Sequence, residues 1–171
     1  IIMGQYFRVI NKTKKELLNP HTFGSGLKIG EIISSRGEIL QGLVLLLAEG
    51  HIEYKDSIPQ PSTIIGRWQG DKITILGDYA QDKEGNNIWN TMLDSKGELK
   101  KSWKDISVET FKTLIENTSV GSRKAEQIRK GGTKWMYSCE KALMEELFPK
   151  ECTEGDLREK YDFVEKEQSE E

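Results

Sequence analysis

The stretch ILQGLVLLLA at residues 39–48 constrains this chain more than any other. Apolar side chains occupy nearly every position, so an amphipathic surface helix does not account for it, and it is expected as a helix in the middle of a core. It falls far short of the roughly 20 residues that a bilayer span needs, so a membrane is not expected as a partner. At 171 residues the chain is long enough to cover such a helix within one self-sufficient domain.

The flanking sequence indicates what covers it. QYFRVINKTKKELLNP (5–20) alternates Tyr6, Arg8 and Ile10 with Phe7, Val9 and Asn11, turns at NKTK and returns through KELL before Pro20, the pattern of a β-hairpin. A helix is expected over about 26–35, with Leu27, Ile29, Ile32 and Ile33 as its apolar stripe and Ser25 as N-cap. RGE at 36–38 breaks it, Gly50 is the expected C′ residue of the core helix, and Pro59 and Pro61 mark 51–63 as a surface loop. IIGRW and KITILG, separated by QGD, read as a second hairpin with Gly70 in its turn, and its second strand leads to Asp78. IWNTML is a short amphipathic piece. Beyond it, Ser107 caps VETFKTLIEN, Ser122 caps a helix ending before Gly131, and KWMYSCEKALMEELF puts Trp135, Met136, Cys139, Leu143 and Leu147 on one core-facing stripe. The expectation is an α+β fold: an antiparallel sheet of two hairpins in the first half, packed by helices, with a helical carboxyl-terminal third. One domain should occupy 1–150, followed by an acidic, partly disordered tail over 151–171 with a short helix around Leu157 and Tyr161.

Charge is unevenly distributed. The formal net charge is −3, yet residues 150–171 carry nine acidic and four basic side chains, while 96–136 hold ten Lys/Arg against five Asp/Glu with Trp103 and Trp135 interleaved. The basic stretch reads either as solvated helix faces or as a surface for phosphate-bearing or protein partners, and the acidic tail is a second candidate for a protein partner. Cys139 and Cys152 are too few for a disulfide framework or a zinc knuckle, and both are expected reduced. Without an export-signal pattern the cytoplasm is the expected compartment.

Chemistry concentrates in HTFGSGLKIGE at 21–31. Gly24, Ser25 and Gly26 precede a helix start with Lys28 in its first turn, and the unpaired amides and partial positive charge of such an end favour an anion. The segment is not GxxxxGK[ST], and a glycine-rich helix start without ligand is the commoner reading. His21 with Glu31 could form an acid–base pair, although Lys28 and Glu31, three apart, also suit a surface ion pair. Asp78 and Tyr79 leave a strand end, where a carboxylate could meet a sugar hydroxyl or, with Glu31 and either Asp71 or Asp82, complete a Mg²⁺ site. No DxD or HExxH spacing supports the metal, and no GxSxG supports a serine nucleophile.

MGQYFRVIN, NPHTFGSGLKIGE, GRWQGDKITILGDYA and WKDIS, in that order, resemble a family of small prokaryotic and phage-associated proteins with no established activity. The resemblance covers roughly residues 3–107; Ile1 and Ile2, and the chain after 118, stand outside it. It groups Tyr6, Gly24, Gly26, Leu27, Lys28, Glu31, Trp68, Gly70, Asp71, Gly77, Asp78 and Tyr79 in one pattern, and so implies one shared pocket. The resulting expectation is a nucleotide or nucleic-acid strand bound by Gly24, Ser25, Gly26, Lys28, Tyr6 and Tyr79. The alternatives are a metal-dependent nuclease or phosphodiesterase using His21, Glu31 and Asp78, with Glu31 and Asp78 as metal ligands, and a phage- or host-related protein-interaction module.

Overall fold

A computed structural model describes residues 5–34, 38–49 and 63–153. The chain divides into two compact units, Ile1–Asn117 and Thr118–Glu171, and each is treated by itself.

The first unit is built on a four-stranded sheet in the order β3-β1-β2-β4. Strands β1 (Phe7–Asn11) and β2 (Glu16–Leu18) form the expected antiparallel hairpin, Val9 opposite Leu18 and Asn11 opposite Glu16. Asn11 Oδ1 accepts the Lys14 N–H (2.9 Å) across the turn, and Lys15 leaves it at φ 54°. β2 ends where Pro20 opens a 3₁₀ turn over Pro20–Phe23, closed by Gly24 at φ 72°. Helices α1 (Ile29–Ser34) and α2 (Glu38–Leu47) follow. Then come β3 (Ile73–Gly77), α3 (Ile88–Thr91), β4 (Lys104–Asp105) and α4 (Ser107–Asn117).

The α+β class stands, and two details of the sheet differ from expectation. IIGRW is not a strand: 64–71 is a run of tight turns, with Arg67 N–H to Ile64 O (3.0 Å), Gln69 N–H to Gly66 O (3.1 Å) and Asp71 N–H to Trp68 O (3.1 Å). Ile64 and Trp68, the buried residues of this run, lie four apart rather than alternating, which suits a turning chain. Gly70, expected in a turn, has φ 74°. β3 therefore pairs antiparallel with β1, from Phe7 opposite Gly77 to Asn11 opposite Ile73. The sheet is also mixed, because β4 runs parallel to β2, Leu17 opposite Asp105. Two residues are too few to leave a periodic signal.

Strand alternation gives the sheet two faces. Ile10, Leu17 and Leu76 on one face pack with Met92, and Ile88, Trp89, Leu99 and Trp103 close over them. The 79–103 excursion thus covers that face. On the other, Val9 and Leu18 are buried beside Glu16. Helices α2 and α4 and the 3₁₀ turn contact one another: the Phe23 and Phe111 rings lie 5.2 Å apart, and a Cβ on Gly42 would meet Phe23 at 3.0 Å and Thr110 at 3.1 Å. α2 is less enclosed than its sequence implies, since Val44 and Leu47 are exposed. The expected features at 35–37, Gly50, 51–62 and 154–171 lie outside the described residues.

In the second unit, α5 (Val120–Gly131) and α6 (Ser138–Leu147) are joined by a buried ion pair, Lys124 Nζ to Glu140 Oε1 at 2.9 Å. α5 begins at Val120, ahead of the Ser122 expected to cap it. α6 begins three residues later than Trp135 and buries Glu140, Leu143 and Met144. The expected core stripe fails at its amino end, where Trp135 is 86% exposed. Cys139 is partly buried and Cys152 buried, and no disulfide joins them.

Glu16 holds the turn run to the sheet. Its carboxylate, nearly buried, accepts from Arg67 Nε (3.0 and 3.1 Å), Arg67 Nη2 and Trp68 Nε1 (2.8 Å), while Gly66 and Trp68 N–H bond to Leu45 O (2.9 Å) and Leu46 O (2.8 Å) of α2. Burial alone would raise the Glu16 pKa; the hydrogen bonds from Arg67 and Trp68, with the charges of Arg67 and Lys104, outweigh it and hold the carboxyl below its usual 4.5. Glu16→Ala should cost about 3 kcal/mol in urea unfolding, because the guanidinium and indole lose their acceptor. The wild type should keep this contribution above pH 4.5 and lose it as pH falls through the lower folded-state value, since the unfolded chain protonates first. Glu16→Gln should flatten that acid dependence.

Candidate functional site

The sheet's functional candidates gather at the amino end of β1. Successive residues of a strand point their backbone groups to opposite edges, and the two glycine-bearing segments use both. On one side Asp78 N–H donates to Tyr6 O (2.9 Å) and Tyr6 N–H to Asp78 Oδ1 (3.2 Å); on the other, Phe7 N–H donates to Leu27 O (2.7 Å). The backbones of GLK and GDY are therefore about 10 Å apart, two strand spacings, with β1 between them. Gln5 lies over Gly77, where a Cβ would come within 2.2 Å of its Nε2.

The expected phosphate cradle is filled by the chain itself. α1 has six residues and begins at Ile29, not 26. Lys28 O accepts from Glu31 N–H (2.9 Å) and Ile32 N–H (3.0 Å), and Glu31 Oε2 reaches back to Lys28 N–H (3.0 Å). This is half of a capping box, so Glu31 performs the capping expected of Ser25. Ser25 is instead buried, its N–H on Pro20 O (3.0 Å). Gly26 leaves room for the carboxylate: a Cβ there would lie 2.1 Å from Glu31 Oε2. Gly24 serves the 3₁₀ turn, donating its N–H to His21 O (3.1 Å). Lys28, Tyr6 and Tyr79 project from the surface.

The metal candidates are similarly engaged. Asp78 caps Tyr6 N–H, and its carbonyl accepts Asn87 Nδ2 (2.6 Å). Asp71 pairs with Lys14 and Asn11, and Asp82 closes its own loop through Asn86 and Glu84. Among the described residues no three His, Cys, Asp or Glu side chains gather as a metal set, and no described helix is long and apolar enough to cross a membrane.

A different residue stands out here. Arg8 shares a sheet face with Tyr6 and Ile10. Its guanidinium carbon sits 4.7 Å from the Trp89 ring centroid, and its Nε is buried with no hydrogen-bond partner among the described residues. Burial lowers the Arg8 pKa, and the nearby Asp105 charge opposes this. Asp105 itself caps α4, accepting the Ser107 N–H (2.9 Å) and hydroxyl. Ser107 Oγ accepts Asn19 N–H (2.7 Å), and Asn19 Oδ1 accepts His21 N–H (3.2 Å). This relay fixes the His21 turn beside Arg8. Burial lowers the His21 pKa below 6.5, the Arg8 charge lowers it further, and Glu31 opposes both. A guanidinium carries five donors shaped for an oxyanion, and this one lies over an indole with the His21 charge state coupled to it. Arg8, Trp89, Asn19 and Asp105 were not sequence candidates. The available signal was a charge at an inward-facing position of YFRVI.

The sequence matches no family model, no curated protein and no solved structure.

Two outcomes check this geometry. Gly26→Ala and Glu31→Ala should each cost about 1 kcal/mol, because each removes the same cap, and the double variant should cost less than their sum. By NMR the His21 imidazole should titrate below 6.5 and move upward in Arg8→Met. Since the fold favours the neutral ring, stability should fall as pH drops below 6.5.

Proposed function

We propose that the protein binds a small phosphorylated ligand of nucleotide size at the amino end of β1, with the phosphate on Arg8 rather than on the α1 helix start. His21 would complete the anion site and take up a proton as the ligand arrives. Lys28 would add charge from the rim. Tyr6, on the Arg8 face and exposed, would stack on the base, with Tyr79 and Asp78 beside it toward the sugar.

The observation that carries this reading is the Arg8 guanidinium, stacked on Trp89 with a buried Nε that lacks a partner among the described residues. Leaving a buried guanidinium N–H without an acceptor costs about 1–3 kcal/mol, and a purely structural position would be filled as well by an apolar side chain. Cost without structural return is characteristic of binding sites.

Thermal melting tests it with inorganic phosphate and a panel of nucleoside mono- and diphosphates. At a hundredfold the Kd, at least one should raise the wild-type Tm by about 5 °C or more, and none should raise that of Arg8→Met. Without ligand, Arg8→Met should melt no lower than wild type. Lys28→Ala should weaken binding by less than about tenfold, as an exposed cation does. A wild type unmoved by the whole panel, or an equal shift in Arg8→Met, contradicts the proposal.

A further inference from the structure

The second unit carries a surface that the Arg8 reading does not use. The buried side of α5 is Val120, Gly121, Lys124, Ala125 and Ile128. Its exposed side presents Arg123, Glu126, Arg129 and Lys130 at helical spacing. Gly132, at φ 61°, ends the helix. Thr133 O then accepts Met136 N–H (3.1 Å), closing a turn between the two helices. Lys134 and Trp135 occupy its tip. Trp135 is 86% exposed, with the Lys134 ammonium 5.5 Å from its ring centroid.

An indole this exposed contributes nothing to the core and opposes solubility, and the charges beside it say what would cover it. The exposed ionic groups from 122 to 135 are Arg123, Arg129, Lys130 and Lys134 against Glu126. Glu126 is paired with Lys130 (2.6 Å) one helical turn away in solvent, a contact weak enough to exchange for a phosphate. Arg123 and Lys130 are separated by about 10 Å along the helix, so the cations form a stripe leading to the aromatic. Cations tracking a backbone beside a free aromatic face are the recognition elements of unpaired nucleic acid.

We infer that the α5 face and the Trp135 turn bind single-stranded nucleic acid, one base stacking on Trp135 while Arg129, Lys130 and Lys134 contact the phosphates. A duplex would meet the cations alone, because its bases are already stacked. A protein partner of ordinary interface size would need a broad apolar centre; among the described residues of this unit, Trp135 and Tyr137 are the exposed large hydrophobics. This inference is independent of the Arg8 proposal, since it concerns other residues and a polymeric ligand.

Fluorescence anisotropy of the full chain with a labelled short oligothymidylate, its duplex counterpart and heparin tests it. Wild type should bind the single strand more tightly than the duplex and weaken steeply between about 50 and about 200 mM salt. Trp135→Ala should lose about tenfold or more on the single strand, Trp135→Phe should retain most of the binding, and heparin affinity should be unchanged in both. Arg129→Ala with Lys130→Ala should weaken both ligands and flatten the salt dependence. All variants should melt with wild type, the altered side chains being exposed. No single-strand binding at low salt, equal affinity for the duplex, or indifference to Trp135→Ala would overturn the assignment. A polyglutamate ligand bound with the same dependence on Trp135 would overturn it in favour of an acidic protein partner.

Discussion

The carboxylate of Glu16, gripped by Arg67 and by the Trp68 indole, is the contact on which the first unit depends. It fastens the turns that enter β3 onto β2, and those same turns are hydrogen-bonded to the last carbonyls of α2. Strand, turn run and helix are thereby held by one buried anion. A second set of bonds holds the other end of the turn run: Asp71 takes Lys14 and Asn11, and Lys72 N–H donates to Thr13 Oγ1 at 2.9 Å. With β3 delivered in register against β1, Gly77 and Asp78 arrive opposite Phe7 and Tyr6. The candidate site is a consequence of that register.

Anion chemistry at this end of the sheet is divided between a satisfied and an unsatisfied group. The helix start of α1, the more obvious attraction for a phosphate, already holds the Glu31 carboxylate against Lys28 N–H. The Arg8 Nε holds no such partner among the described residues, and its ring neighbour Trp89 supplies attraction without neutralising the guanidinium charge. The Asp105 carboxylate, near enough to act on Arg8, is committed to Ser107. An incoming oxyanion would therefore find its complement at Arg8 and His21.

What the sequence disclosed follows from the length of each signal. The first hairpin and the helix over 107–117 were legible because alternation and helical period run over many residues. The α1 start was misplaced because Glu31, rather than Ser25, closes its first turn. IIGRW resembled a strand by composition, yet its Trp was drawn to a carboxylate fifty-two residues earlier in the chain, a long-range bond that no local pattern announces. β4 was invisible at two residues. Of the candidate site, GLK and GDY lie on opposite sides of the Tyr6–Phe7 backbone, each hydrogen-bonded to it. Glu31 and Asp78 cap backbone groups, and Arg8 drew no functional reading because its neighbours Phe7, Val9 and Ile10 are apolar. In the second unit, the stripe containing Trp135 looked like core because its spacing is helical, but the helix starts at Ser138 and leaves the indole outside.

The claim that Arg8 waits for an oxyanion is tested most directly at the atom concerned. In a ¹⁵N-labelled sample, the Arg8 Nε–H resonance, identified by its loss in Arg8→Lys, is followed while inorganic phosphate and then a nucleotide are added. The account predicts a saturable shift of that resonance, slower exchange of its proton with water, and a parallel rise in the His21 pKa from its depressed value. A resonance that stays in place at saturating ligand, with the His21 titration unchanged, would contradict it.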